Sequence, residues 1–132
     1  MLKNKDYINE GVFRALVSWI ESDLSRPMTI NDISVRAGYS TWHIQRLFKR
    51  ISGHTLSAYI RIRRLTVAAK MLRETDLQII DICFLVGYTD SSTFSRAFRN
   101  YFGVPPSEYR FAKKNYTSKL QNPLWLTIDR HK

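Results

Sequence analysis

One pattern of residues occurs twice in this chain. The first copy reads Ile33-x4-Gly38-Tyr39-Ser40, followed by Ile44, Leu47, Phe48, Gly53 and Tyr59. The second reads Ile82-x4-Gly87-Tyr88-Thr89, followed by Phe94, Ala97, Phe98, Gly103 and Tyr109. Gly38 and Gly87 are 49 positions apart, whereas Phe48 and Phe98, Gly53 and Gly103, and Tyr59 and Tyr109 are each 50 apart. One residue is therefore added between the Gly-Tyr turn and the segment after it. Self-similarity at a fixed period means one supersecondary unit built twice.

The unit is helical. Val12, Phe13, Leu16, Val17, Ile20 and Leu24 fall at helical spacing, which predicts an amphipathic first helix over 12–24. Thr29 or Asn31 can cap a short second helix through Ala37, with Ile30, Ile33 and Val35 as its inward candidates. Gly38-Tyr39 is a turn, and Ser40 can cap a third helix near 41–51. Thr55 can cap a fourth, long helix over 56–73. The second copy repeats the scheme: a fifth helix over 78–86, Asp90 capping a sixth through Phe102, and Pro105-Pro106 opening a seventh over 105–113. No useful strand alternation is present. The fold class expected is all-α, with two helix-turn-helix subdomains at 1–54 and 75–114, a linker helix at 55–74 and a tail at 115–132. In the tail the pattern is lost; Leu124-Trp125-Leu126 is apolar but short, and can pack back on the body, lie loose or serve a partner.

The 132 residues suffice for one domain or two small ones, and 44% hydrophobic content supports a real core. With 21 Lys+Arg against 11 Asp+Glu, the formal net charge is +10, which favours a polyanionic partner. Cys83 is the only cysteine and sits between Ile82 and Phe84, as a small core residue does. Neither a signal-peptide pattern at residues 1–6 nor an apolar run long enough for a membrane span is present, so a cytoplasmic, nucleoid-associated location is expected.

The third helix carries two faces. Ile44, Leu47, Phe48 and Ile51 form the apolar stripe. Trp42, Gln45, Arg46 and Lys49 repeat that spacing on another face, and this combination suits a helix in a DNA major groove. Arg pairs with guanine, Gln with adenine, an aromatic ring with a thymine methyl, and a Lys with phosphate. In the sixth helix Phe94, Ala97, Phe98 and Tyr101 or Phe102 look inward, while Ser92, Ser95, Arg96 and Arg99 share the other face. Arg96 is the counterpart of Arg46, Ser95 of Gln45, and Arg99 of Lys49. Short hydroxyls offer fewer base-edge contacts, so the first copy is expected to discriminate sequence more sharply. Along helix four, Arg61, Arg63, Arg64, Lys70 and Arg73 read mostly as solvated charge, with Arg61 the best phosphate candidate. Eighteen residues give helix four about 27 Å, against about 34 Å between successive major grooves on one side of DNA. Simultaneous engagement is then expected to bend the duplex, at about 1–6 kcal/mol.

Gly38-Tyr39-Ser40-x-Trp42-His43-x-Gln45-Arg46-x-Phe48 resembles the first reader of the AraC/XylS transcription regulators. Phe94-x-Arg96-x-Phe98-x3-Phe102-Gly103-x2-Pro106-x2-Tyr109-Arg110 resembles the second. The resemblance covers residues 12–114 and is strongest to the short stand-alone members, the MarA/SoxS/Rob type. It implies a monomeric activator that inserts two recognition helices into adjacent major grooves of bent promoter DNA and recruits RNA polymerase, for stress, efflux and antibiotic-tolerance genes. The candidate base contacts are Trp42, Gln45, Arg46, Ser92, Ser95 and Arg96. The candidate backbone contacts are Ser40, His43, Lys49, Arg50, Arg61, Thr93, Arg99, Ser107 and Arg110. One departure stands at Ser91-Ser92, where the short relatives commonly carry Gln-Gln. The chain has no room for a sensor domain, and Met1 favours a complete product, so no small-molecule ligand is expected.

Other classes fit less well. His43, His54 and His131 lack metal-ligand spacing, and no phosphate loop or paired carboxylates occur, so neither an enzyme nor a metal or other cofactor is expected. A membrane-surface binder would need a free apolar helix face, but the core uses these stripes. The alternative kept is a non-specific architectural DNA-binding protein, marked by similar affinity for all sequences.

Overall fold

A computed structural model of the chain describes residues 2–123. Leu124-Trp125-Leu126 and His131 lie outside the described residues. Seven α-helices follow one another: α1 (Leu2–Ser22), α2 (Ile30–Ala37), α3 (Thr41–Ser52), α4 (Leu56–Glu74), α5 (Ile79–Leu85), α6 (Ser91–Phe102) and α7 (Pro106–Phe111). A 3-10 turn, Thr117–Lys119, comes after them, and no strand occurs among the described residues. Most bounds agree with the periodicity to within two residues. The first helix differs, because it begins at Leu2. Residues 2–10 hold no proline or glycine, so the helix continues there without an apolar stripe to announce it.

The chain divides into two compact units. The first contains residues 2–23, 27–60 and Pro123. Thr29 caps α2 in a reciprocal box: its hydroxyl accepts from the Asp32 N–H, and the Asp32 carboxylate accepts from the Thr29 N–H. Gly38, at φ 75, ends α2 in the left-handed conformation and donates to the Ser34 carbonyl. The Ser40 hydroxyl then caps α3 by accepting from the His43 N–H at 3.2 Å. Phe13, Leu16, Val17, Ile20, Ile33, Ile44, Leu47, Phe48, Leu56, Tyr59 and Ile60 form the buried core. Phe48 sits between Phe13 and Tyr59, with ring centroids at 4.7 and 5.9 Å. The Tyr59 hydroxyl donates to Glu21 at 3.1 Å. Val35, an inward candidate by sequence, is instead 82% exposed. Eight residues of α2 turn only Ile33 fully inward.

The second unit contains residues 24–26 and 61–122. Its core joins Leu65, Ala68, Ala69 and Leu72 of α4 to Ile82, Cys83, Val86, Phe94, Phe98, Phe102, Tyr109 and Tyr116. Cys83 is fully buried, as its apolar neighbours predict. Asp90 caps α6, accepting from the Ser92 and Thr93 N–H groups. Pro106 sits in the first turn of α7, where no N–H is needed.

Two sequence expectations change here. Of the five cations of α4, Arg61, Lys70 and Arg73 are exposed as expected, but Arg63 is buried and Arg64 half-buried, and three of the five are bonded to backbone. Arg63 is buried and donates to the Gln121 carbonyl, Arg64 to those of Leu24 and Arg26, and Arg73 to those of Tyr109, Ala112 and Lys114. Around Arg63 and Arg64, α4 is buried on several sides, so these guanidinium stems run along apolar surface to reach free carbonyls. The segment after α7 also has a clear structural role. Tyr116 is buried against Phe102 and Tyr109. The Gln121 N–H donates to the Thr66 hydroxyl at 3.0 Å, and the Tyr101 hydroxyl donates to the Lys119 carbonyl.

Candidate nucleic-acid interface

In α3 the apolar and polar rows separate as the spacing requires. Ile44, Leu47 and Phe48 are buried, while Trp42, Gln45, Arg46, Lys49 and Arg50 are exposed. Trp42 keeps 59% of its surface in solvent. That is costly for the largest apolar side chain unless something else covers it. The Arg46 guanidinium lies over the Trp42 ring, 4.5 Å from its centroid, so the two side chains form one cationic, aromatic pair. His43 packs edge-on to Trp42 at 5.1 Å. Its Nδ1 lies 2.9 Å from the Ser40 hydroxyl. Ser40 is therefore engaged both as a cap and as a partner of His43. Lys49 donates to the Gly53 carbonyl at 3.2 Å, which places its ammonium at the C-terminal end of α3.

In α6 the corresponding row is plainer. Ser92, Thr93, Arg96 and Arg99 are exposed, but Ser95 is half-buried, so it presents less than Gln45 does. The Thr93 hydroxyl donates to the Asp90 carboxylate at 2.6 Å. The same bond is the main reason the Asp90 carboxyl is held below its usual range, helped by the Thr93 and Ser92 N–H groups and the Arg96 charge. Ser107 and Arg61 are exposed. Arg110 stands apart from the other candidate phosphate contacts. It is half-buried, and its guanidinium donates to the carbonyls of Leu72, Thr75 and Leu77, fastening α7 to the end of α4. Its Nε and Nη2 donors serve the fold. The sequence reading passed over Asn100, one turn beyond Arg96 on the row Ser92, Arg96, Asn100. The i+4 spacing was the available signal.

Two helix-turn-helix units, each exposing a cationic second helix, define a DNA-binding protein. A family model described as a helix-turn-helix domain matches residues 28–112. The chain is 38% identical over 122 residues to the multiple antibiotic resistance protein MarA of Escherichia coli K12, covering 92% of this chain and 94% of that protein. Among solved structures, an AraC-type transcriptional regulator from Chromobacterium violaceum superposes with a TM-score of 0.70 at 31% identity, over 76% of this chain and 90% of that one. The DNA-binding domain of AdpA, solved with a target DNA, shares the fold with a TM-score of 0.71 at 21% identity, over 74% of this chain and 87% of that one. The chain belongs to the AraC-type helix-turn-helix family of transcription regulators. It is a DNA-binding regulator of transcription, and proteins of this family are not enzymes. No helix among the described residues is long and apolar enough to cross a membrane.

Proposed function

We propose that the chain is a monomeric, cytoplasmic transcriptional activator that reads a promoter site with α3 and α6 in adjacent major grooves. Trp42, Gln45 and Arg46 read base edges from α3. Arg96, with Ser92 and a smaller share from Ser95, does so from α6. Ser40, His43, Lys49, Arg50, Arg61, Thr93, Arg99 and Ser107 steady the duplex through its phosphates. Bound DNA bends to meet both readers, and the bound protein recruits RNA polymerase. Identity to a protein named for multiple antibiotic resistance favours target genes in efflux, stress and antibiotic tolerance.

The observation that carries this reading is the stacked Trp42–Arg46 pair, fully on the surface of a helix whose opposite face is core. An aromatic ring and a guanidinium held together in solvent match a thymine methyl beside a guanine edge. The test is selection of bound duplexes from a random pool, followed by footprinting. A recurrent asymmetric site spanning two major grooves is the expected product. A pool that stays random through successive rounds would establish the architectural alternative instead.

A further inference from the structure

Within the second unit, Arg61 of α4 and Thr93, Arg96, Ala97, Asn100 and Tyr101 of α6 line a cleft of about 420 Å³. That volume lies in the range of small-molecule sites, about 300–1,000 Å³. The lining includes two guanidiniums and no carboxylate. Four other arginines of this unit, Arg63, Arg64, Arg73 and Arg110, each donate to backbone carbonyls. Arg61 and Arg96 do not: neither makes a hydrogen bond or ion pair with any described residue. Asp90 feels the Arg96 charge but makes no ion pair with it, and its oxygens accept from Ser92 and Thr93. Two like charges sharing a concave wall repel each other, and an anion between them would relieve the repulsion. Guanidiniums are also suited to bidentate capture of a carboxylate.

The rest of the wall selects the body of the ligand. Ala97 is a small apolar floor. The Tyr101 ring is held in place, because its hydroxyl donates to the Lys119 carbonyl and the Lys119 ammonium lies 5.5 Å from the ring centroid. The Asn100 amide is exposed and adds a neutral donor. We propose that this cleft is a binding site for a small organic anion: a carboxylate carried on a flat apolar body. This goes beyond the sequence expectation, which allowed no small ligand. One consequence rests on the reading of Arg61, Thr93 and Arg96 as duplex contacts. An anion in the cleft takes the same guanidiniums and lowers DNA affinity.

The test uses the full chain without DNA, so it stands or falls separately from the DNA reading. Sodium benzoate is titrated into ¹⁵N-labelled protein, with chloride holding ionic strength constant, and arginine side-chain and backbone signals are followed. Saturable shifts confined to Arg61, Arg96, Ala97, Asn100 and Tyr101 are expected, with a dissociation constant on the order of 1 mM. Asn100→Leu fills the cleft while leaving both cations, and should weaken binding about tenfold or more. Arg61→Gln with Arg96→Gln should abolish it. Shifts that rise linearly and spread over all exposed cations would mean charge screening and overturn the proposal. Equal affinity for inorganic phosphate, or an unchanged response in Asn100→Leu, would overturn it too.

Discussion

Gly38 and Gly87 occupy matching places in the repeat, yet their surroundings differ. Both have positive φ, at 75 and 97. A Cβ on Gly38 would meet nothing within 4 Å, whereas one on Gly87 would lie 2.9 Å from the Leu24 carbonyl oxygen and 3.0 Å from Ser25 Cα. Gly38→Ala should therefore cost only the left-handed penalty, about 1–2 kcal/mol. Gly87→Ala adds a backbone collision and should cost about 3 kcal/mol or more. Chemical denaturation of the two variants measures both, and equal losses would contradict this geometry. At the DNA-facing surface, Arg46→Ala should cost about 1–3 kcal/mol of binding and relax preference at one base pair. Lys49→Ala should weaken all sequences alike and lower the salt slope by about one. Titrations against a set of single-base variants at several salt concentrations separate the two roles.

At the scale of the helix, the caps were legible and the uses of charge were not. Thr29, Ser40, Thr55 and Asp90 each accept the backbone hydrogen bond that their position in the sequence suggests. Such bonds span three residues, so local sequence contains all the information needed. Arg63, Arg64, Arg73 and Arg110 find partners 33 to 58 positions away. Nothing within their own helices marks those carbonyls, which is why Arg63, Arg64 and Arg73 read as solvated charge and Arg110 as a phosphate contact. The cap of α6 also makes a prediction about acid. Hydrogen bonds from Thr93 hold the Asp90 carboxyl below its usual range, so the folded state favours the carboxylate. That contribution is complete above the unfolded value, about 4, and is lost as pH falls through the lower folded value. Asp90→Asn removes it. Thermal melts should show wild type ahead of Asp90→Asn at neutral pH, with the gap closing as the solution is acidified below pH 4. A gap independent of pH would assign the difference to packing instead.

Over the whole molecule, the repeat is written into both units, but their chemical inequality comes from a few residues. Trp42 and Gln45 in one copy correspond to Ser92 and a half-buried Ser95 in the other. Single base-pair changes across a bound site should accordingly cost more in the half read by α3, within the ~1–3 kcal/mol typical per mismatch. Equal penalties in both halves would remove the proposed asymmetry. The tail was the least legible part, because it carries no period, and its described residues Lys119 and Gln121 find partners 18 to 58 positions away. Tyr116 nonetheless packs in the aromatic core of the second unit. Tyr116→Ala should destabilise that unit by about 3 kcal/mol, read from the loss of hydrogen-exchange protection around Phe102 and Tyr109.

Leu24–Arg26 belongs to the second unit although it precedes α2 in the chain. Its carbonyls receive Arg64, and its backbone closes over Gly87. A fragment starting at Arg61 would carry every residue of the later repeat and still lack those three. The doubled pattern therefore does not mark the boundary of the compact unit. Neither half can be cut out along the seam that the sequence displays.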